Sequence, residues 1–520
     1  MTMSIKRVVG IVSALAALIM PASAFSAPGP VAAPSVPGAS SLPGPLVDPG
    51  QPGTNMLTLK ATPDIAVAGT MTTISGAGLP VNKDVTLTWS TATIDWVLDA
   101  RPDSVDYLGR KATNFPVLLA TARTDASGVF KVTLPAPRDW GGLHDIYAVV
   151  DGVQMAKGGF LIARHATMTP KRGPIGTPIT ITYSGLGSKL YEGSVALNYD
   201  NKFAGQLTAN WSRGVAVTHI RASGPVGKHV IYLDDAVNFG YMNIPQSPNP
   251  WAISKKFIFT VTKDAGRPAP RIDWPMNVTP TVSPTTTLAA VKATAGATTS
   301  TASLSVTSGQ ILTKVDVSAG GLTPNAPVSL QWATVVGNRV NCTGICWAFS
   351  TVPLGTATAA ADGTLKTNIT VPDGLGGWHA VQLVQGSTTM AQVPFFVQRS
   401  FAEAQPVSDL TLRQGQHFTI HLKGVGWTQL DNTIAVDYDN GYVGYGCGFN
   451  SQGDVVLDMV ASGAPGTHLI DMYPLLYTQQ PSYANTPYGM IPMLSYATDL
   501  PGLALGYRLP AMRLAITVVK

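Results

Sequence analysis

The sequence predicts an all-β chain of four β-sandwich modules, arranged as two duplicated halves in the order A–B–A′–B′. Three observations predict it. Only 12% of the 520 residues are charged, while 52 Gly and 40 Pro supply turns, a balance that suits many short strands and not helices. Short runs rich in Val, Ile, Thr and aromatics alternate apolar with polar residues, as half-buried antiparallel strands do. The second half then repeats the motifs of the first in the same order.

Residues 1–24 read as an export signal. Lys6 and Arg7 precede an apolar run over 8–20, and Ala22 and Ala24 provide the small residues before a cleavage site. The run falls short of the roughly 20 residues that a membrane span needs, so no span is expected after cleavage. Residues 25–53 are rich in Pro, Gly, Ser and Ala and read as a linker, because they cannot bury enough apolar surface to order themselves.

Module A covers 54–163 and module B 164–263. Strands are expected over 70–75, 85–89, 129–134, 146–150 and 179–183. Asp125-Ala-Ser-Gly128 reads as a hairpin turn between them. Residues 264–302 form a second linker, Pro-rich at first and then a Thr/Ala/Ser tract. Module A′ covers 303–398 and module B′ 399–520. Asp362-Gly363 and Asn440-Gly441 read as hairpin turns there, since Gly and Asn tolerate positive φ.

The duplication is carried by matched motifs. Ser75-Gly-Ala-Gly78 corresponds to Ala319-Gly-Gly321, and Trp89 to Trp332. Gly141-Gly142-Leu143-His144 corresponds to Gly376-Gly377-Trp378-His379, Tyr199-Asp200-Asn201 to Tyr438-Asp439-Asn440, and Gly227-Lys228-His229 to Gly466-Thr467-His468. A weaker similarity joins A to B within each half, which places His144, His229, His379 and His468 at equivalent points, and likewise Trp89, Tyr199, Trp332 and Tyr438. Each module then holds about 100 residues, the size of an immunoglobulin-like sandwich.

On these motifs the chain resembles tandem immunoglobulin-like (early-set, IPT-like) repeats of bacterial secreted and surface proteins, over roughly residues 54–262 and 303–520. The resemblance implies a sandwich fold and a spacer, adhesive or binding role. It transfers no functional residue.

Candidate chemistry is sparse. The net charge of +5, with no Lys/Arg cluster, excludes a nucleic-acid binder. The four repeated His lie one per module, so the reading preferred here is a shared fold-level hydrogen bond, not a metal site. His417 and His421 share a strand face but no third ligand is suggested. Hydrolase motifs and phosphate loops are absent, so no catalytic residue, metal or cofactor is assigned and no enzyme is expected. Of three cysteines, Cys342 and Cys346 are expected to form a local loop disulfide. Pairing of either with Cys447 is the second reading.

The candidate binding residues are aromatic and lie in two long loops, 239–251 and 473–507: Tyr241, Trp251, Tyr473, Tyr477, Tyr483 and Tyr488. Tyr and Trp offer rigid contact area with a polar tip. The competing reading is that these loops cover a module face or join two modules. The expectation is an exported structural or adhesive protein at the cell surface or in the periplasm, contacting protein or glycan and open to self-assembly. Two copies of a weak site on a tether would give avidity. The alternatives are a carbohydrate-binding protein using the B-module loops and an enzyme with a site between modules.

Overall fold

The computed structural model describes residues 48, 50–101, 104–189, 192–235, 239–240, 242–246, 255–276, 300–337, 347–405, 410–476 and 491–520. Regular structure among them is β-strand, apart from 3-10 turns at Ile244–Gln246 and Pro501–Leu505. No helix among the described residues is long and apolar enough to cross a membrane.

Among the described residues the strands form eight sheets, and four apolar clusters each lie between a three-stranded sheet and a larger one. In A, the strands Lys60–Thr62, Met71–Gly76 and Phe130–Pro135 face a sheet ordered Gln51–Thr58, Val153–Ile162, Gly142–Val150, Asp84–Arg101, Ser104–Arg123. In B, His165–Thr169, Pro178–Ser184 and Val215–Arg221 face Arg172–Gly173, Lys255–Val261, Gly227–Asp235, Ser194–Tyr199 and Lys202–Thr208. In A′, Thr301–Leu304, Lys314–Gly320 and Leu365–Thr370 face Ser308–Gly309, Thr388–Val397, Gly377–Gln385, Pro327–Gly337 and Trp347–Thr358. In B′, Ser400–Gln405, His417–Lys423 and Val455–Val460 face Arg271–Asp273, Ala511–Val519, Gly466–Pro474, Thr433–Tyr438 and Gly441–Cys447.

Strand alternation explains the cores. In Met71–Gly76, Ile74 turns inward while Thr73 bonds Thr133 across the outer face at 2.9 Å. Two details differ from the sequence reading. The B′ hairpin turns at Asp439 and Asn440, with φ of 49° and 56°, and Gly441 already pairs with Tyr438. The turn is therefore one residue earlier than Asn440-Gly441, because short Asp and Asn side chains tolerate the left-handed region. Residues 271–273, read as linker, are a strand paired antiparallel with Ala511–Val519 of B′, and Gln51–Thr58 begins inside the first linker.

The sandwiches meet edge to face. The larger sheet of B′ turns Ile470 and Met472 into its own core, and Leu469 and Tyr473 into the core of B. Residues 492–494 run along the edge strand Lys202–Thr208 of B: Gln206 N–H donates to Pro492 C=O at 2.9 Å, and Leu494 N–H donates to Gln206 C=O at 2.8 Å. That contact covers a sheet edge which would otherwise offer unpaired backbone groups. A further cluster draws on all four sandwiches: Trp96 and Tyr107 of A, Trp211 of B, Phe396 of A′, and Leu430, Leu503, Leu505 and Tyr507 of B′. The halves are thus packed against each other, whereas the sequence reading placed two copies of a weak site on a tether.

Candidate functional site

The repeated histidines do the same job in every sandwich. Each ring lies against the aromatic of the adjacent strand, with centroids 4.4 Å apart for Trp89–His144, 5.5 Å for Tyr199–His229, 5.0 Å for Trp332–His379 and 5.5 Å for Tyr438–His468. Each Nε2 donates to the carbonyl four residues earlier, at 2.8, 2.7, 2.9 and 2.8 Å for Trp140, Pro225, Leu375 and Ala464. The pair closes the turn that enters the strand. The second ring nitrogen distinguishes the copies. In A and A′ it faces a strand carbonyl, Ser90 or Ala333. In B and B′ it donates to Asp200 or Asp439, both at 2.5 Å. Burial pushes His379 down to about 4. For His468, burial opposes the charged ring, but the Asp439 carboxylate and the Ala464 carbonyl outweigh it and the pKa rises.

His417 and His421 each face a separate carboxylate, Asp458 at 3.5 Å and Asp454 at 3.7 Å. Among the described residues no three His, Cys, Asp or Glu side chains gather as a metal site.

Tyr473, expected in an exposed aromatic loop, lies at the end of Gly466–Pro474 and is 1% exposed. Arg513 donates to its hydroxyl at 3.1 Å and stacks over its ring at 5.3 Å. This corrects the assignment of Tyr473 as a surface binding residue: it joins two sandwiches. Tyr241, Trp251, Tyr477, Tyr483, Tyr488, Cys342 and Cys346 lie outside the described residues.

Around Tyr473 the B–B′ interface buries charge. Asp471 meets Arg221 of B at 2.7 Å and Arg513 at 3.2 Å, and Arg513 meets Asp273 at 2.6 Å. Arg221 also donates to the Ile470 and Leu514 carbonyls of B′. Asp437 lies opposite Asp471 in the ladder. Desolvation and the Asp471 charge push its carboxyl well above the usual carboxylate range. With Asp437 neutral, buried Arg221 and Arg513 face Asp471 and Asp273, and exposed Arg271 adds a third guanidinium on Asp273. These carboxylates converge, but inside an interface and not in a cleft.

An open groove lies beside this interface. It has a volume of about 740 Å³ and runs between Lys202, Phe203 and Phe239 of B and Tyr438, Tyr442 and Asp458 of B′, within the range of ligand pockets. The two equivalent hairpins build it. Lys202, just past the B turn, donates to the Asp439 carbonyl of the B′ turn at 2.9 Å, and its stem lies against Gly441. Phe203 and Phe239 meet edge to face at 4.7 Å, and Phe239 is 59% exposed. Burial first, and then Asp437, push Tyr442 up to about 12. The groove can stack an apolar or sugar face on Phe239 while Asp458 engages a polar rim. The sequence reading reached only the loop that carries Phe239. Lys202, Phe203 and Tyr442 were missed, and the signal for them was the doubled Tyr-Asp-Asn turn.

No family model matches the chain, and a search of curated proteins finds no match. Among solved structures it is similar to Salmonella alpha-2-macroglobulin reacted with methylamine, at 10% identity and a TM-score of 0.17, over 87% of this chain and 30% of that one. It is similar to the D1–D4 ectodomain fragment of ICAM-5, at 11% identity and a TM-score of 0.18, over 89% of this chain and 100% of that one. It is also similar to the Escherichia coli adhesin FdeC, at 12% identity and a TM-score of 0.15, over 68% of this chain and 99% of that one. The chain spans about 30% of the length of the macroglobulin it matches. TM-scores this low have no bearing on the site.

Proposed function

We propose that the chain is an exported, non-enzymatic structural or adhesive protein of the cell envelope, which works as a stiff array of sandwiches and makes contact through the B–B′ groove. The observation that carries this reading is the locked interface. Arg221 of B pairs with buried Asp471 of B′, and Arg513 of B′ donates to the His219 carbonyl of B, beside the open aromatic groove. Rigid elements place a binding surface more precisely than loops do. The ionisable groups that converge are spent on holding the interface, which favours contact over catalysis. A second reading is a glycan ligand, favoured by exposed Phe239 on Phe203 with Asp458 on the rim.

Cell fractionation and surface proteolysis test the location, and recovery of the chain in the cytoplasm would sink the proposal. Adhesion of protein-coated beads to envelope fractions, beside a glycan array, tests the contact. Phe239→Ala is expected to lower binding about tenfold, as truncation of an aromatic anchor does, with unchanged thermal unfolding. Binding that ignores Phe239 would remove the groove from the mechanism.

A further inference from the structure

The A–B and A′–B′ joints are copies of one another. Gly141 N–H donates to Leu186 C=O at 2.8 Å, and Gly376 N–H donates to Val425 C=O at 3.0 Å. Arg164 bonds the Glu192 carbonyl and Arg399 bonds the Asp431 carbonyl. A Cβ built on Gly142 would face the Glu192 carboxylate, and one built on Gly377 would face that of Asp431. Leu143 therefore stands where A′ has Trp378, and Glu192 where B′ has Asp431.

The two copies differ in what covers them. In A′–B′ the chain plugs the joint with its own residues 503–507. Trp378 donates from its indole N–H to the Leu505 carbonyl at 2.9 Å. Tyr507 Cε1 comes within 3.3 Å of the Cβ position of Gly377. The tyrosine ring meets Phe396, which in turn meets Trp378. In A–B the corresponding place is an open cleft of about 620 Å³, lined by Phe115, Trp140, Leu143, Asp145, Lys189 and Glu192 among others. Leu143 there is 65% exposed. The acids also differ. Asp431 is held by Thr428, whose N–H and hydroxyl donate to it at 2.8 and 2.6 Å. The Glu192 carboxylate accepts no hydrogen bond from any described residue.

We propose that the A–B cleft is a peptide-docking site, which takes from a partner polypeptide what A′–B′ takes from its own chain: a Leu- and Tyr-bearing turn, here with a flanking basic residue. The apolar part covers Leu143 and Phe115. The tyrosine hydroxyl or the basic group donates to Glu192, and Asp145 adds to the acidic rim. The chain's own plug, Leu503-Ala504-Leu505-Gly506-Tyr507-Arg508, has this composition.

The test uses the full chain and a labelled synthetic peptide of residues 500–509, followed by fluorescence anisotropy. Saturable binding is expected. Leu143→Asp should weaken it tenfold or more, and Glu192→Gln about tenfold, since a charge-assisted hydrogen bond is lost. Leu143→Trp supplies the donor found at Trp378 and should tighten it. Phe239→Ala in the other groove should leave it unchanged. Thermal unfolding of each variant reports folding, and the exposed position of Leu143 keeps its variants informative. Absence of peptide binding, binding indifferent to Leu143 and Glu192, or a glycan that binds in a Leu143-dependent way where the peptide does not, each overturns the proposal.

Discussion

At Trp332 and His379, two stacked rings decide how one turn titrates. The fully buried His379 stays neutral, with its pKa lowered to about 4 from 6.5. A lowered pKa means that its contribution is whole above pH 6.5, falls as the pH drops, and is spent near pH 4. The loss is roughly 3 kcal/mol over that window. Urea unfolding should show a shallower acid slope for His379→Gln than for the parent chain, and equal slopes would refute the assignment. His468, with a raised pKa, has the opposite sign: its contribution is whole below pH 6.5 and declines as the pH climbs through the raised value. Asp437 follows the same rule as His468. Burial and the Asp471 charge raise its carboxyl well above the usual carboxylate range, and neither of its oxygens has a hydrogen-bond partner among the described residues. Its contribution therefore falls as the pH rises. Asp437→Asn, which mimics the neutral acid, should match the parent near pH 4 and exceed it in stability by a margin that grows toward neutral pH. A margin that shrinks instead would mean that Asp437 is ionised and paired.

Single elements show what could be read from the sequence and what could not. The Trp/Tyr–His matches were legible because a fold that repeats a contact must repeat both partners, and all four pairs are found in ring contact, three stacked and Tyr438–His468 tilted. Asp437, Asp471 and Arg513 were illegible in the opposite sense. In their strands they alternate with core residues, a pattern that reads as a solvent face, and periodicity does not say whether a neighbour covers that face. The same limit hid the role of residues 491–509, whose aromatic and apolar content fits a ligand surface as well as a joint. Glycines at the joints carry a clearer message. A Cβ on Gly141 would sit 1.7 Å from the Gly185 carbonyl oxygen, and one on Gly376 would sit 1.7 Å from that of Gly424. Backbone stands in the way, so Gly141→Ala and Gly376→Ala should each cost about 1–3 kcal/mol or more. Gly320, which lies outside the left-handed region and whose Cβ position meets only the Thr301 hydroxyl at 3.7 Å, is the control for loss of a glycine alone. If the three behave alike in denaturant melts, close approach at the joints is not the reason for Gly141 and Gly376. Trp96 probes the long hairpin of A in the same way. Its indole N–H donates to Asp499 at 2.8 Å, and the Asn210 N–H donates to the other oxygen at 2.7 Å. Trp96→Phe keeps an aromatic ring but removes the donor and part of the indole's buried volume, and denaturant melts should show a loss of about 1–3 kcal/mol or more.

On the scale of the whole molecule, the decisive contact is between halves that the sequence presents as separate. Sandwiches B and B′ share a core, and a buried ion-pair network crosses between them. Such a network adds little net stability relative to an apolar interface, but losing one partner leaves a charge buried and costs about 3–5 kcal/mol. Its value is registry: one arrangement satisfies Arg221, Asp471, Arg513 and Asp273 together, and a slipped one strands them. Covalent continuity between the halves is then unnecessary for their association. A protease site engineered within 281–299 should allow cleavage into two fragments that co-elute in size-exclusion chromatography, with the small-angle scattering profile of the intact chain. Adding Asp471→Ala, which strands Arg221, should let the cut fragments separate, while the uncut variant expands. If the fragments part without that substitution, the tether and not the interface holds the molecule together, and the stiff array on which the proposed function depends does not exist in solution.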